Sequence, residues 1–383
     1  MYRRLFVFVF AFACASTLFA QDLSDIQIHG FVTQGFLYSS NNNLFTMNTS
    51  DGSARWTDAA LSLSDAASDK LRIGVQLHVY QFGELGGANM IIDWATGDYR
   101  ASDRVRFVVG KVKTVTGLFN DSQDVDTVHL WVLLPESMYP TDNKSFNLAH
   151  YGGDFYGAMP LGKRWGTLGY RGFAGYRPLD LNGGYAKLLS PSIGSAFTTG
   201  GSNEFGGDLR WETPLKGLLV GVSALTSGLD GTAPTGSFHI PYSTTPVPYA
   251  KFEKGKFMAA GEYKRNTSEI DLSFNLPGGG HFIVPSTYDT RSWYAMSSYR
   301  LTGKLQAGAY YSHYINGGVN DSLPVNFSKD WTVSGRYDFN GYFYTKVEEH
   351  FINGTALDYY TDTNPAGEKP KSKLLAAKVG FNF

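Results

Sequence analysis

The sequence is poor in the features that stabilise a large water-soluble protein. It has a single cysteine, Cys14, among 383 residues, so no disulfide can join two parts of the chain. Only 17% of its residues are charged, compared with about 25% in an average soluble domain. The formal net charge is −1, which disfavours a nucleic-acid binder that depends on a basic surface.

Long hydrophobic runs are also missing after residue 20. No apolar stretch there approaches about 18 residues, so we expect no transmembrane helix. The chain is nevertheless 43% apolar and 15% aromatic and contains 44 glycines. This composition is too hydrophobic for a disordered protein and favours a folded chain rich in β-strands.

Residues 1–20 have the layout of a secretory signal peptide. Arg3 and Arg4 precede an apolar run from Leu5 to Cys14, and Ala20 suits the position before a cleavage site. An N-terminal membrane anchor and a lipid-modified Cys14 are the alternatives. We expect residues 1–20 to be removed and residues 21–383 to form a single exported domain.

Apolar and polar residues alternate along many segments of this domain. Between residues 70 and 82 the odd positions from Leu71 to Val79 are apolar, whereas the even positions include Arg72, Gln76 and His78. The same period of two recurs at residues 88–96, 204–212 and 331–339. Such alternation predicts β-strands with one apolar and one polar face.

The links between the predicted strands alternate in length. Tight turns are expected at Asp69, Ser102, Gly162, Pro214, Gly255, Gly303 and Asn340, and the intervening links are mostly long. An even number of strands with short turns at one rim and long loops at the other is typical of a transmembrane, antiparallel, up-and-down β-barrel. We predict this all-β fold with about sixteen strands, at residues 26–38, 57–64, 70–82, 88–97, 103–113, 146–159, 165–178, 203–213, 217–226, 247–254, 256–273, 286–300, 304–314, 329–339, 341–352 and 371–383.

Aromatic residues and the last strand support a barrel in lipid. Bulky residues flank the predicted short turns, as in the aromatic ring of a membrane interface: Trp165, Trp211, Phe257, Tyr299, Phe339 and Phe343. The chain ends on an apolar stripe that includes Val379, Phe381 and Phe383. We expect the last strand to pair with residues 26–38, because closure removes both sheet edges.

Two segments carry a resemblance to a known family. Residues 28–37 (IHGFVTQGFL) and residues 110–121 (GKVKTVTGLFND), which continue to residues 133–140 (LLPESMYP), resemble Gram-negative outer-membrane porins. The similarity is greatest to the porin-like group related to phosphate-selective and trimeric diffusion porins. It implies an outer-membrane location and a homotrimer. Relatives often have an Arg before the Asp-Val pair, where this chain has Gln123, so no anion preference follows.

A barrel of this size leaves an aqueous channel, and the polar strand faces are expected to line it. We therefore predict passive diffusion of small hydrophilic or charged solutes, with outer-membrane lipid as the surrounding partner. The predicted pore-lining residues are Arg72, His78, Arg104, Arg106, Arg171, Asp208, Arg210, Glu262, Lys264, Arg291, Arg336, Asp338, Lys346 and Glu348.

The third long link, residues 114–145, differs from the others because it is both long and apolar. Loops of this length are usually functional, and the porin resemblance implies that this one folds into the lumen. A surface cap packed on its own side chains is the alternative. The predicted constriction residues are Leu118, Phe119, Asp121, Asp124, Asp126, Trp131 and Glu136.

Other functions have weaker support. The eight His residues show no paired metal-binding spacing, and neither a phosphate loop nor a nucleophile elbow is present. We therefore predict no enzymatic activity, no metal and no cofactor. An exported β-sandwich adhesin and a barrel enzyme that uses a Ser-His pair are the alternatives.

Overall fold

The structure, a computed structural model, describes residues 26–383 except residues 277, 279 and 321. The expected signal peptide, residues 1–20, lies outside the described residues. Sixteen antiparallel strands form one closed barrel in chain order. Their bounds are β1 Gln27–Ser40, β2 Ser53–Asp65, β3 Leu71–Phe82, β4 Met90–Arg100, β5 Arg106–Lys113, β6 Ala149–Pro160, β7 Thr167–Pro178, β8 Thr199–Glu212, β9 Leu218–Ala233, β10 Gly236–Lys254, β11 Phe257–Asn275, β12 His281–Arg300, β13 Leu305–Asn316, β14 Phe327–Asp338, β15 Phe343–Asn353 and β16 Lys371–Asn382.

Among the described residues, helices occur in the connections between strands. Helix α1 spans Lys144–Asn147 and helix α2 spans Gly184–Ile193, and short 3₁₀ turns occur at Thr49–Asp51, Asp126–Val128, Thr141–Asn143 and Pro324–Asn326. None of the helices among the described residues is long and apolar enough to cross a membrane.

The barrel closes where its first and last strands meet. Strand β1 pairs with β16 from Phe31 opposite Asn382 to Ser40 opposite Lys373, which confirms the predicted closure. The seam ends at Gly30, whose backbone exchanges two hydrogen bonds with Phe383 at 3.0 and 3.1 Å. A closed barrel also excludes the β-sandwich alternative, because a sandwich consists of two separate sheets.

The side chains of each strand alternate between the interior and the exterior, as the sequence predicts. In β3, Gln76, His78 and Tyr80 are buried, whereas Ile73 is exposed. The predicted ring of aromatic residues near the short turns lies on the exterior, since Trp165, Trp211, Phe257, Tyr299, Phe339 and Phe343 are all exposed. The exterior is therefore apolar where hydrocarbon would contact it.

Strands β9 to β12 are longer than the sequence predicts. They contain 16, 19, 19 and 20 residues, and only Pro234 and Thr235 separate β9 from β10. The expected loops at residues 227–246 and 274–285 are therefore largely strand. Their Gly, Ser, Thr and Pro content resembles that of a loop, but the two hairpins pair with each other and form a wall above the long-loop rim. We call this part of β9–β12, residues 227–246 and 267–289, the raised wall.

The closing seam gives a test of the fold. A Cβ atom at Gly30 would lie 2.5 Å from the ring of Phe383, whereas a Cβ at Gly335 would meet no atom within 4 Å. We expect G30V to displace the ring and to reduce the fraction of protein that refolds in detergent to the compact form seen on gels without boiling. The variant G335V should refold like the wild type, and equal yields of the two variants would contradict this account of the seam.

Candidate pore constriction

Residues 114–148, which we call the lumen loop, cross the interior between β5 and β6. Gly117 begins the crossing with a φ of +68°, and its N–H donates to Ser223 Oγ at 2.7 Å. The next N–H, that of Leu118, donates to Glu262 Oε2 at 3.1 Å. A Cβ at residue 117 would lie 2.1 Å from the same carboxylate oxygen, so this close approach requires glycine.

An ion cluster fixes the middle of the lumen loop to the opposite wall. The two carboxylate oxygens of Asp126 each lie 2.9 Å from an ammonium group, that of Lys346 on β15 and that of Lys378 on β16. Tyr344 Oη donates to Asp126 Oδ2 at 2.7 Å. Burial would raise the pKa of Asp126, but the two ammonium groups hold that pKa well below its ordinary value. Asp126 is therefore anionic, and its charge is compensated inside the barrel.

Backbone groups of the lumen loop bind two further wall residues. The carboxylate of Glu348 accepts from the N–H groups of Val132 and Leu133 at 3.1 and 3.0 Å. Arg336 Nη1 donates to the carbonyl oxygens of Thr127 and His129 at 2.6 and 3.0 Å. These charge-assisted bonds satisfy loop backbone groups that would otherwise be buried without partners.

Apolar packing covers the side of the loop that faces β10–β13. The ring of Trp131 contacts that of Tyr310 edge to face, with 5.0 Å between centroids. Phe119 packs between Tyr139 and Tyr294. The buried cluster comprises Leu130, Trp131, Leu134, Met138 and Tyr139 of the loop and Val247, Ala260, Tyr294, Met296 and Tyr310 of the wall. This contact explains why so apolar a loop does not extend into water.

The returning end of the lumen loop is anchored to β2. Lys144 Nζ donates to Asp58 Oδ2 at 3.0 Å, and Asp58 Oδ1 lies 2.5 Å from Nε2 of His78. Near the start of the loop, both carboxylate oxygens of Asp124 accept from Lys113 Nζ at 2.7 Å. Contacts to β2, β9, β11 and β13–β16 therefore hold the loop around much of the inner wall.

A cavity of about 410 Å³ remains between the lumen loop and the raised wall. Carboxylic acids line one side, Glu136 and Asp142 from the lumen loop and Asp358 from the link between β15 and β16. Lys264 of β11 lines the same cavity, and no described residue forms an ion pair or hydrogen bond with its ammonium group. A lysine that has no ion-pair contact therefore lines the same cavity as three acids, and its nearest charged neighbour is Glu262 on the same strand.

Burial controls the protonation of the acids in this cavity. It raises the pKa of Glu136 to about 8, against the opposing effect of hydrogen bonds from the Thr141 hydroxyl and N–H. Burial also raises the pKa of Asp142, although Tyr360 donates to it at 2.5 Å. The pKa of Asp358 is raised well above its ordinary value by burial and then by the two neighbouring acids. Glu136 is therefore largely neutral at pH 7, and burial favours the neutral form of its two neighbours as well.

Comparison with solved structures shows barrels of the same architecture. The OmpT outer membrane protein of Vibrio cholerae in its trimer form matches with a TM-score of 0.56 and 10% identity, over 94% of this chain and 99% of that chain. The anion-selective porin from Comamonas acidovorans matches with a TM-score of 0.55 and 12% identity, over 93% and 98% of the two chains. OmpF of Salmonella typhi, in complex with daunomycin, matches with a TM-score of 0.56 and 14% identity, over 94% and 97%.

The chain has the fold of outer-membrane porins. Neither protein-family models nor curated protein sequences match it, so the likeness is one of architecture. Within this barrel the lumen loop crosses the interior from β5 to β6. Within the part of the chain that the structure describes, no group of three or more His, Cys, Asp or Glu side chains could hold a metal ion.

Most of the predicted pore-lining residues lie on the inner face of the barrel. Many are already paired there, for example Arg171 with Asp154 and Arg106 with Asp98, and Arg72 lies at the exposed end of β3. Their contribution to permeation stays a prediction. The residues found on the inner face are Arg72, His78, Arg106, Arg171, Asp208, Arg210, Glu262, Lys264, Arg336, Asp338, Lys346 and Glu348.

Two predicted positions differ in the structure. Arg291 is on the exterior, because its ladder partner is Arg265 and the next pair on that face is Tyr263 with Trp293. Arg265 and Arg291 lie just below the raised wall, where charges occur on the outer face of the barrel as well. Arg104 lies in the turn before β5, which begins at Arg106, rather than on the strand.

The acidic residues predicted for the constriction have separate roles. Asp124 and Asp126 bind wall cations, whereas Glu136 borders the cavity and Asp121 has no ion pair or hydrogen bond from a described side chain. Three residues of this site were not predicted from the sequence: Asp142, Asp358 and Lys378. Lys378 precedes Val379 of the apolar stripe and so lies on the polar face of the last strand, but no local pattern connects it with residue 126.

The ion cluster at Asp126 can be tested by removing its charge. The variant D126N leaves Lys346 and Lys378 buried without their carboxylate, a change that costs about 3–5 kcal/mol in other proteins. We expect a lower temperature of heat unfolding in detergent, measured by circular dichroism. The variant D121N removes the same charge from the same loop and should change this temperature little. A similar loss in both variants would show that loop charge, rather than the cluster, stabilises the barrel.

Proposed function

We propose that this protein is a porin of the bacterial outer membrane, which lets small hydrophilic or charged solutes diffuse passively through a water-filled channel. Residues 1–20 would direct export, and residues 21–383 would form the single barrel domain. The observation that carries this proposal is the difference between the side chains on the two faces of the barrel wall. Charged side chains line the interior, whereas the exterior is apolar and bears aromatic residues near the short turns. This is the arrangement that a channel through lipid requires.

The lumen loop would set the selectivity of the channel. Its carboxylates at Asp124 and Asp126 are neutralised by wall cations, so they contribute little net field. Lys264, Glu136, Asp142 and Asp358 border the remaining cavity, and none of them forms an ion pair with a described residue. Because burial favours the neutral form of the three acids, the field in the cavity near pH 7 depends chiefly on Lys264. Fixed charges at a narrow point select solutes by the sign of their charge.

We infer that the protein is not an enzyme. The alternative barrel enzyme needs a hydroxyl group and an imidazole that a substrate can reach. Hydroxyl and imidazole groups meet at Thr114 and His150, 2.9 Å apart, and at Thr332 and His350, 3.0 Å apart. All four side chains are buried to 1% exposure or less, so neither pair has the access that catalysis requires.

We further propose that three copies assemble through the outer wall of β1–β5. Polar groups interrupt the apolar exterior there, including Gln34 and Thr57, which share a hydrogen bond of 2.8 Å. The ammonium group of Lys111 donates to the carbonyl oxygen of Ile92 and lies over the ring of Tyr151, and it has no ion pair with a described residue. Such groups are costly against hydrocarbon and more favourable against another protein surface. The trimer form named for the Vibrio cholerae protein is compatible with this arrangement.

Conductance in a planar lipid bilayer tests the channel directly. Purified protein should insert and give stable steps of conductance, in groups of three if the trimer is correct. A salt gradient then gives the ion preference from the sign of the reversal potential. Protein that remains folded, as judged by its gel mobility without boiling, and yet gives no conductance would refute the proposed function.

The raised pKa of Glu136 gives a prediction for pH. Its carboxyl is largely neutral at pH 6 and largely anionic at pH 9, because the pKa of about 8 lies between these values. We expect the reversal potential to shift toward cation preference over this range, and E136Q to reduce the shift. The variant E253Q, which alters an exposed carboxylate near the short-turn rim, should retain the full shift. A shift that is unchanged in E136Q would exclude Glu136 as its source.

A further inference from the structure

Four cations lie at one level on the exterior of the barrel. We call Arg265, Arg291, Lys329 and Lys373 the cationic belt. Arg265 is eight residues beyond the start of β11 at Phe257, and Arg291 is nine residues before the end of β12 at Arg300. Lys329 and Lys373 are each nine residues before the ends of β14 at Asp338 and β16 at Asn382. All four are therefore at nearly equal heights above the short-turn rim.

The side chains of the belt point away from the lumen. Arg265 and Arg291 face each other across the β11–β12 ladder, and the next ladder pair on their face is Tyr263 with Trp293, both exposed. Lys329 is in register with His313, which in turn is in register with Trp293 on the same face. Lys373 is in register with the exposed Phe351, and its ammonium group lies 5.4 Å from the centre of that ring.

The height of the belt matches the outer interface of a membrane. Eight or nine residues of a strand tilted by about 40° rise about 20 Å, close to the apolar band of about 25 Å in outer-membrane barrels. Exposed aromatic residues lie one to three positions nearer the short-turn rim, namely Tyr263, Trp293 and Trp331. Aromatic rings favour the level of the lipid headgroups. The belt is therefore at or just above that level, on the side of the long loops.

The positive charge of the belt exceeds the negative charge of the carboxylates beside it. Asp289 accepts from both guanidinium groups, at 2.8 Å from two Arg265 nitrogens and at 2.9 Å from Arg291 Nη2. No described residue forms an ion pair with Lys329 or Lys373. Asp289 thus bridges the two neighbouring guanidinium groups, and Glu349 also faces outward on β15, one ladder pair on that face from Lys373. The four cations still outnumber these two carboxylates, which leaves the belt with a net positive charge.

The cations at this level are concentrated on β11–β16, although Arg55 of β2 is also exposed at a similar height. At the same distance from the short-turn rim, the outward-facing residues of β6–β10 are uncharged: Tyr151, Tyr176, Asn203, Thr226 and Pro246. A general need for positive charge at the interface would distribute it around the lipid-facing circumference. Its concentration on β11–β16 indicates a binding site for a particular anionic group.

We propose that the cationic belt binds the phosphate groups of an anionic glycolipid headgroup in the outer leaflet. Arginine forks bind phosphate oxygens in pairs, and lysines add point charges that reach outward from the wall. The aromatic residues below the belt would contact the upper part of the acyl chains. This inference rests on the proposed membrane location, which places the belt beside lipid headgroups.

Lipopolysaccharide with a bisphosphorylated lipid anchor is the probe for this site, and the same lipid treated with phosphatase is its dephosphorylated counterpart. Binding to the full-length mature protein in nonionic detergent is titrated by native mass spectrometry. We expect the wild type to bind the phosphorylated form at least about tenfold more tightly. The variant R265Q/R291Q/K329Q/K373Q should lose this preference. The variant K163Q/K216Q/K254Q/K256Q, which removes four cations near the short-turn rim, should retain it.

Several results would overturn the proposal. Equal binding of the two lipid forms would mean that the acyl chains alone are recognised, and an equal loss in both variants would mean that net charge alone is responsible. Complete displacement by inorganic phosphate would indicate a site for a free ion. Gel mobility without boiling verifies that each variant is folded. Conductance in synthetic phospholipid bilayers is measured in parallel, so that failure of the channel is distinguished from failure of the lipid site.

Discussion

Closure of the sheet is the constraint on which the rest of this structure depends. In hydrocarbon no water is present to bond with the N–H and C=O groups of an edge strand, so every strand needs two neighbours. The pairing of β1 with β16 satisfies this requirement. Closure in turn creates an interior that sixteen strands make too wide for wall side chains to fill. The lumen loop fills part of the space that the wall side chains leave open.

The lumen loop behaves more like a packed core than like a surface loop. It combines an apolar contact with β10–β13 and charged contacts with β14–β16, and both depend on residues far away in the chain. Buried ion pairs contribute little net stability because desolvation of the charges offsets their attraction. The ion pairs of Asp126 nevertheless raise the free energy of every other conformation of the loop, because a displaced Asp126 would leave two buried cations unpaired. The charges therefore determine where the loop lies, and the apolar contact contributes most of the stability.

The sequence was sufficient for the architecture because the membrane imposes a period of two on every strand. Strand number, order, the tight turns and the closing pair all follow from that period and from the turn residues. The loop was predicted to enter the lumen only through resemblance, and its contacts were not predictable, because residues 126, 346 and 378 are related only through the closed barrel. Arg291 was assigned to the wrong face since the rule that charges point inward holds only within the apolar band. The raised wall was missed because cross-strand pairing outweighs the loop-like composition of residues 227–246.

The raised wall has one further consequence. Strand β13 ends at Asn316, which pairs with Thr290, so β12 from His281 to Tyr288 has a strand neighbour on one side only among the described residues. This stretch is therefore an exposed strand edge, to which another polypeptide could bind as an additional strand. Pro285 lies in the middle of it and lacks the N–H that such addition would use. Inside lipid the closed barrel has no free strand edge through which copies could associate. Where β12 projects beyond the bilayer such an edge is present, and Pro285 hinders the addition of another strand there.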